Sequence, residues 1–282
     1  MIELKMMIDA SRPKIKFPTS RSSVIKEMIS SRLPALPVFD KKENFLGVIS
    51  VTTLLNNPDE EQLGLLIEKC DSKNYDKNLY QERVLNDLSL KGYSCVLDNE
   101  GKFIGIIYLE DILKKVLAKK DYDNIPIEGF VRKKFPVVWS STPISMCWCT
   151  LRFSEFNSLL VVDDECKPFS VLTELDILMD VEEERISIKG VASDAGTSEE
   201  WGVDQANIVY IDRLSLKLSK KPVSSLIKPL TISVLSTESV SAVATKMVLA
   251  KTSILPVVDS SKSLIGIVQA SDLLRALEEK SL

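Results

Sequence analysis

The sequence predicts an α/β (α+β) fold made of four copies of one unit, strand–helix–strand–strand–helix, paired into two modules through small sheets. Three observations predict it. The first is repetition: LPALPVFDKKENFLGVISVTTLL from Leu33, YSCVLDNEGKFIGIIYLEDIL from Tyr93, FNSLLVVDDECKPFSVLTELDIL from Phe156 and TSILPVVDSSKSLIGIVQASDLL from Thr252 are versions of one segment. The second is register. Each copy has a turn-opening acid (Asp40, Asp98, Asp163, Asp259), a small residue seven positions later (Gly47, Gly105, Ser170, Gly266) and a helix-start residue six positions after that (Thr53, Asp111, Asp176, Asp272). The third is chemistry: both apolar runs of each copy are β-branched and bounded by polar turns, which reads as two strands. Such a repeat is settled before any finer assignment, because missing it mis-assigns the whole architecture.

Each copy also has an upstream half. Strand-like then helix-like stretches occupy residues 14–17 and 22–31, 69–75 and 82–91, 135–139 and 144–155, and 230–235 and 239–251. Ser20, Ser22, Thr142, Ser145, Thr237 and Ser239 are cap-type residues at the helix starts, and Pro143 suits a first helical turn. The short turns make the two central strands antiparallel. Pro37 and Pro256 are assigned to the first position of their strands, where a missing N–H does least harm. A unit of roughly 60 residues buries only ~60% of its surface alone, so copy 1 is expected to pair with 2 and copy 3 with 4. The expected units are 1–60, 61–122, 123–181 and 222–282, giving modules 1–122 and 123–282. Residues 182–221 are an insertion. It is read as opening with an acidic helix, passing Gly190, Gly196, Trp201 and Gly202, and turning apolar at 208–211. It is expected to be an arm over one edge of the second module or a partner-docking element.

The chain of 282 residues is 45% hydrophobic and 27% charged, an ordinary globular composition with room for two domains. A net charge of −4 argues against a nucleic-acid surface. No apolar run reaches the ~18–20 residues of a membrane span and no signal pattern opens the chain, so a cytoplasmic protein without membrane contact is expected. There is no histidine, which excludes Ser-His-Asp and Cys-His catalysis and removes the commonest zinc ligand. The five cysteines, Cys70, Cys95, Cys147, Cys149 and Cys166, are odd in number and lack CxxC spacing, so reduced thiols are expected instead of a metal site. No catalytic residue and no catalytic cofactor is assigned.

The frame G-h-h-[ST]-x-x-D (h apolar), set at constant spacing in four copies, resembles the CBS domain, the module named after cystathionine β-synthase. The likeness covers nearly the whole chain outside the insertion and is greatest to archaeal-type stand-alone proteins with four such domains in two Bateman modules. The resemblance implies inter-domain clefts that bind adenosine-containing ligands: AMP, ADP, ATP or S-adenosylmethionine. It implies that the motif Asp accepts from the ribose hydroxyls, that the Ser or Thr three residues earlier meets a phosphate, and that first and middle strands hold the adenine. On this sequence the ribose residues are Asp176, Asp272 and Asp111. The phosphate residues are Thr173 and Ser50, joined by Arg275, one helical turn beyond Asp272, and by Lys133. The adenine residues are Val137, Val138, Ser158 and Leu159 in copy 3, and Thr231, Ile232, Ser253 and Ile254 in copy 4.

The chemistry agrees with this assignment. A carboxylate is an acceptor suited to a diol, a helix N-terminus suits a phosphate, and a small residue such as Gly266 would let backbone approach a ligand. Asp and Thr are equally good helix caps, worth ~1 kcal/mol without any ligand. Copy 3 alone has both motif positions, Thr173 and Asp176. Copy 1 has Ser50 but Thr53, copy 2 has Asp111 but Tyr108, and copy 4 has Asp272 but Gln269. The copy 3 cleft is therefore expected to bind first, with Arg132, Lys133 and Lys134 as its cations. Copies 4 and 2 follow, and copy 1 is expected to be weak or empty. The function expected is non-catalytic sensing, passed to a homodimer partner or to an unknown regulated protein. The alternative is a structural interaction scaffold with largely degenerate clefts.

Overall fold

The computed structural model describes residues 7–9, 11–70, 77–98, 100–192, 207–230 and 232–279. Repeat 1 comprises β1 (Ile15–Lys16), α1 (Arg21–Ser31), β2 (Ala35–Phe39), β3 (Phe45–Ser50) and α2 (Val51–Asn56). Repeat 2 comprises α3 (Lys77–Lys91), β4 (Tyr93–Leu97), β5 (Phe103–Tyr108) and α4 (Leu109–Ile112). Repeat 3 comprises β6 (Val137–Trp139), α5 (Ile144–Arg152), β7 (Ser158–Val162), β8 (Pro168–Thr173) and α6 (Glu174–Met179). A hairpin of β9 (Glu182–Ala192) and β10 (Asn207–Lys217) follows. Repeat 4 comprises β11 (Val234–Leu235), α7 (Val240–Ala250), β12 (Ile254–Val258), β13 (Leu264–Gln269), α8 (Ala270–Leu273) and α9 (Arg275–Glu279). In repeats 1, 3 and 4 the first strand runs parallel to the middle strand, which is antiparallel to the third. Repeat 2 has the antiparallel pair β4–β5. Most of its expected first strand, residues 69–75, lies outside the described residues, as do Thr231, Trp201, Gly196 and Gly202.

The turn-opening acid organises its hairpin. The Asp40 carboxylate accepts the backbone N–H groups of Lys42 and Asn44, both at 2.8 Å. Asp163 accepts those of Glu165 and Lys167 at 3.0 and 2.8 Å, and Asp259 those of Ser261 and Ser263 at 2.9 and 2.8 Å. The Asn44 side chain lowers the pKa of Asp40 further, and the Ser261 hydroxyl does the same for Asp259. Three residues after each acid the backbone is left-handed, at Glu43, Gly101, Cys166 and Lys262 (φ 59–81°). Only repeat 2 places there the glycine that such a conformation favours.

Two prolines stand elsewhere than expected. Pro37 and Pro256 lie at the centre of β2 and β12, opposite Val48 and Ile267. Val48 and Ile267 turn both of their backbone groups outward, to Glu68 and Arg132. The proline positions are therefore non-hydrogen-bonded pairs, and each proline nitrogen faces the first-strand side, where β1 and β11 begin only one residue later. Of the expected caps, Ser20 and Ser239 accept N–H groups at the starts of α1 and α7, whereas Pro143 precedes the first residue of α5 as its N-cap.

Sheets pack within a pair, and helices pack between pairs. Phe39 and Phe45 of repeat 1 close on Phe103 of repeat 2, with ring centroids 5.2 and 4.7 Å away. Leu160, Val162 and Val171 of repeat 3 meet Ile254 and Ile267 of repeat 4. On the outer faces, α1 and α2 pack on α6 in a core that includes Val24, Met28, Leu54, Trp148, Ile177 and Leu178. Repeats 2 and 4 share a second core with Leu88, Ile112, Leu113, Val243, Met247 and Leu273.

The insertion differs from its expected form. Its acidic start is strand β9, not a helix, paired from Glu182↔Lys217 to Ala192↔Asn207. Alternation at Arg185-Ile186-Ser187 and the β-branched residues outweigh the acidic run, and Lys217 Nζ meets Glu184 at 2.6 Å. The base of the hairpin crosses to repeat 1. Buried Arg21 donates to the carbonyls of Pro58, Glu60 and Leu214 at 2.7–2.8 Å, and Leu216 N–H donates to Pro58 O at 2.9 Å.

The small residue of each repeat admits the protein's own backbone. The segment before each repeat lies along the third strand of its pair partner: Asp9 N–H donates to Ile106 O at 3.3 Å, Glu68 exchanges bonds with Val48 at 2.8 and 2.9 Å, and Arg132 does so with Ile267 at 2.8 and 3.0 Å. A Cβ at Gly266 would lie 2.6 Å from Arg132 O, and one at Gly47 (φ 147°) 2.3 Å from Glu68 O. The expectation that these positions admit a ligand is thus corrected. Ser170 in repeat 3 fits because its hydroxyl donates to Lys228 O at 2.7 Å. Gly266→Ala is expected to cost about 1–3 kcal/mol by forcing the crossing segment away. Ser170→Ala is expected to cost about 1 kcal/mol for one lost hydrogen bond. Urea midpoints at unchanged m-value check both.

Candidate ligand-binding clefts

In repeat 2, Asp111 is 2% exposed, and Arg12 Nη2 from the crossing segment approaches its Oδ1 at 2.5 Å. The Tyr108 N–H donates to its other oxygen at 3.4 Å. Tyr108, which replaces the hydroxyl residue of the motif, lies under the Arg12 guanidinium (5.4 Å to the ring centroid) and donates its OH to Ala35 O of repeat 1 at 2.8 Å. Lys114 pairs with Glu110 on its own helical turn.

Repeat 4 repeats the arrangement by another route. Asp272 is 4% exposed; Arg132 Nε donates to both of its oxygens at 2.9 and 2.7 Å, and Nη2 lies 2.7 Å from Oδ1. The expectation that Arg132 serves repeat 3 is corrected: crossing onto β13 carries it to the repeat 4 helix start. Lys133 and Lys134 are exposed. Arg275 is turned onto the crossing segment, 5.3 Å over the Phe130 ring, with its Nη2 donating to Gly129 O at 3.4 Å.

Repeat 1 inverts the charge. Ser50 Oγ accepts the Thr53 N–H at 3.1 Å and donates to Glu68 Oε1 at 2.8 Å, and Thr53 Oγ1 bonds the same oxygen. The acid missing from this helix start is thus supplied by the crossing segment. In repeat 3, Thr173 donates to Asp176 Oδ2 from N at 2.9 Å and from Oγ1 at 2.6 Å, and accepts the Asp176 N–H at 3.2 Å. Among the described residues no cation pairs with Asp176.

The expected adenine residues do not share one wall, because neighbours on a strand face opposite sides. Ser158 is buried opposite Thr173. Val138 and Leu159 belong to the helix-side core, Ile254 lies between the sheets of repeats 3 and 4, and Ile232 packs on the repeat 2–4 core. Val137 is exposed, and the Ser253 carbonyl accepts the Ala270 N–H at 2.8 Å.

A cavity of about 410 Å³ opens at the repeat expected to be emptiest. Ser50, Thr53 and Glu68 of repeat 1, Lys91 and Tyr93 of repeat 2, and Trp148, Arg152, Phe156 and Glu174 of repeat 3 wall it. Glu174 accepts from Thr52 Oγ1 at 2.6 Å across the repeat 1–3 joint, and burial raises its carboxyl pKa. Sequence reasoning passed over Glu174, though the repeat register carries a signal: Val51, Leu109 and Ala270 hold the same place in the other copies. Arg12 and Glu68 carried no such signal, since they lie outside the repeated frame.

The CBS domain profile matches residues 13–60, 82–118 and 221–279. The chain belongs to the CBS domain family. The repeat 3 motif, with Ser170 in place of glycine, falls outside the matched stretches. The uncharacterized protein MJ1404 of Methanocaldococcus jannaschii is 25% identical over 143 residues, which are 50% of this chain and 34% of that protein. The matched stretch thus spans about a third of that curated relative. Two solved structures share the CBS fold over nearly their full lengths. An uncharacterized conserved protein of Pyrococcus horikoshii has TM-score 0.60 at 22% identity, covering 97% of this chain and 99% of its own. Protein MJ1225 of M. jannaschii, described as a putative archaeal homologue of γ-AMPK, has TM-score 0.71 at 15% identity, covering 98% and 100%.

Because folding raises the Glu174 pKa, the native CBS protein binds more protons than the unfolded chain just above the ordinary value of 4.5, and Glu174 weakens stability as pH rises through that window. Glu174→Gln keeps an acceptor for Thr52 without the charge. Its melting temperature is expected to exceed wild type at pH 7 and to match it at pH 4, as read by calorimetry at both pH values.

Proposed function

We propose that this CBS protein is a non-catalytic regulatory module that binds an adenosine-containing ligand in an inter-repeat cleft and passes occupancy to a second copy or to another protein. One observation carries the reading. Among the described residues Asp176 alone of the three helix-start acids has no arginine paired to it, and it sits with Thr173, the only complete motif pair in the sequence. Its carboxylate is an acceptor for a ribose diol, with Thr173 beside it for a phosphate. The ligand is an adenine nucleotide or S-adenosylmethionine. Binding between repeats can alter their arrangement only through unequal affinity for two arrangements, and the repeat 1–3 joint at Thr52 and Glu174 is the place where such a change would be felt.

A second reading is a structural scaffold. The arginine pairs at Asp111 and Asp272 favour it, because they turn two clefts into joints. Thermal unfolding with AMP, ADP, ATP and S-adenosylmethionine separates the two readings. A ligand at 100 times its dissociation constant should add about 2.7 kcal/mol of stability. Thr173 is the N-cap and Asp176 the third helical residue of the capping box, so Asp176→Asn, whose amide oxygen can still accept from Thr173, is expected to keep the apo stability within about 1 kcal/mol while weakening the ligand-induced shift. No shift with any adenosyl compound up to millimolar concentration would leave the scaffold reading.

A further inference from the structure

We propose that Arg12 and Arg132 are internal ligands: each occupies the helix-start acid of its cleft with the donor face a vicinal diol would otherwise present, and so withdraws the clefts of repeats 2 and 4 from ligand binding. The inference rests on the reading that a helix-start acid here takes a diol.

Asp111 and Asp272 are nearly inaccessible, at 2% and 4% exposure. A carboxylate so placed needs donors, and its loss of hydration must be offset by a partner of opposite charge. A guanidinium meets that need with a planar fork of N–H groups. Arg132 uses the fork fully, through Nε and Nη2 at 2.7–2.9 Å; Arg12 uses Nη2. Each arginine also lies against a ring that fixes its plane, Arg12 over Tyr108 and Arg132 over Phe156, both at 5.4 Å.

The two arginines reach equivalent acids from unequal positions. Arg132 is itself the residue bridged to Ile267, whereas Arg12 stands three residues beyond Asp9, the residue bridged to Ile106. One endpoint reached from two registers marks the pairing, not the backbone course, as the shared feature. Repeat 1 extends the rule with reversed sign, hydroxyl donors at the helix start receiving the Glu68 carboxylate. Repeat 3 breaks it: its crossing segment gives Ser170 a backbone carbonyl, that of Lys228.

The test is calorimetric titration of the full chain with adenosine, which carries the diol without phosphate, and with 2′,3′-dideoxyadenosine, which lacks it. Arg132→Gln is expected to gain one adenosine site per chain, at least tenfold tighter than any wild-type binding there. That site should vanish in the Arg132→Gln/Asp272→Asn double variant and with the dideoxy compound. Arg12→Gln should do the same at Asp111. Folded Arg132→Gln and Arg12→Gln chains with the adenosine stoichiometry of wild type overturn the proposal. Where the variants do not fold, wild-type crystals soaked in adenosine decide: ribose oxygens at Asp272 or Asp111 overturn it, and acids still held by arginine uphold it. A wild type that responds to no adenosyl compound, nucleotides and S-adenosylmethionine included, beside an Arg132→Gln chain that binds adenosine would remove the reading at Asp176 and leave this one standing.

Discussion

The outer edge of every central hairpin must be paired, and the chain pairs it with backbone from the neighbouring repeat. An unpaired strand edge is an open template. Here Val48, Ile106 and Ile267 each bond a segment that belongs, by sequence, to the other member of the pair. Much follows from that exchange. Glycine stands at 47 and 266 because the visiting backbone comes within reach of a Cβ, and at 105 because the Ile8 side chain of the visiting segment does. Proline is tolerated at 37 and 256 because the ladder bonds there face outward. In repeats 1, 2 and 4 the side chains at the helix starts meet partners that arrive on the crossing segment.

The crossing also sets the electrostatics. Each visiting segment brings a group that complements what it finds: arginine for an aspartate, glutamate for two hydroxyls, a carbonyl for a serine. Buried carboxylates are therefore satisfied inside the protein at Asp111 and Asp272, whereas Asp176 is satisfied by its own helical turn. Four clefts with a common frame thus differ in charge, and the difference comes from residues outside the frame.

That division explains what could be read from the sequence. The hairpins, their antiparallel register, the turn acids and the helices were legible because they recur in phase at Asp40, Asp98, Asp163 and Asp259. The unequal motif letters at Ser50/Thr53, Tyr108/Asp111, Thr173/Asp176 and Gln269/Asp272 were legible too. The partners of those letters were not, since Arg12, Glu68 and Arg132 act over 99, 18 and 140 residues of chain. The cavity at repeat 1 escaped for a related reason: three repeats contribute its walls, and no single repeat predicts a space between them. The insertion misled because its glutamates satisfy a helical reading as readily as an exposed strand, and only the Ile186 alternation tips the balance.

The docking of the β9–β10 hairpin on repeat 1 has a topological consequence. The connection from repeat 3 to repeat 4 does not stay within its own module. It travels out to Arg21 and Pro58 and returns, so the second half of the molecule is fastened to the first. Pulling the halves apart requires peeling that ribbon from its carbonyl anchors as well as parting the helices. The two modules are thereby coupled in rupture as well as in rest, like panels stitched with a shared thread.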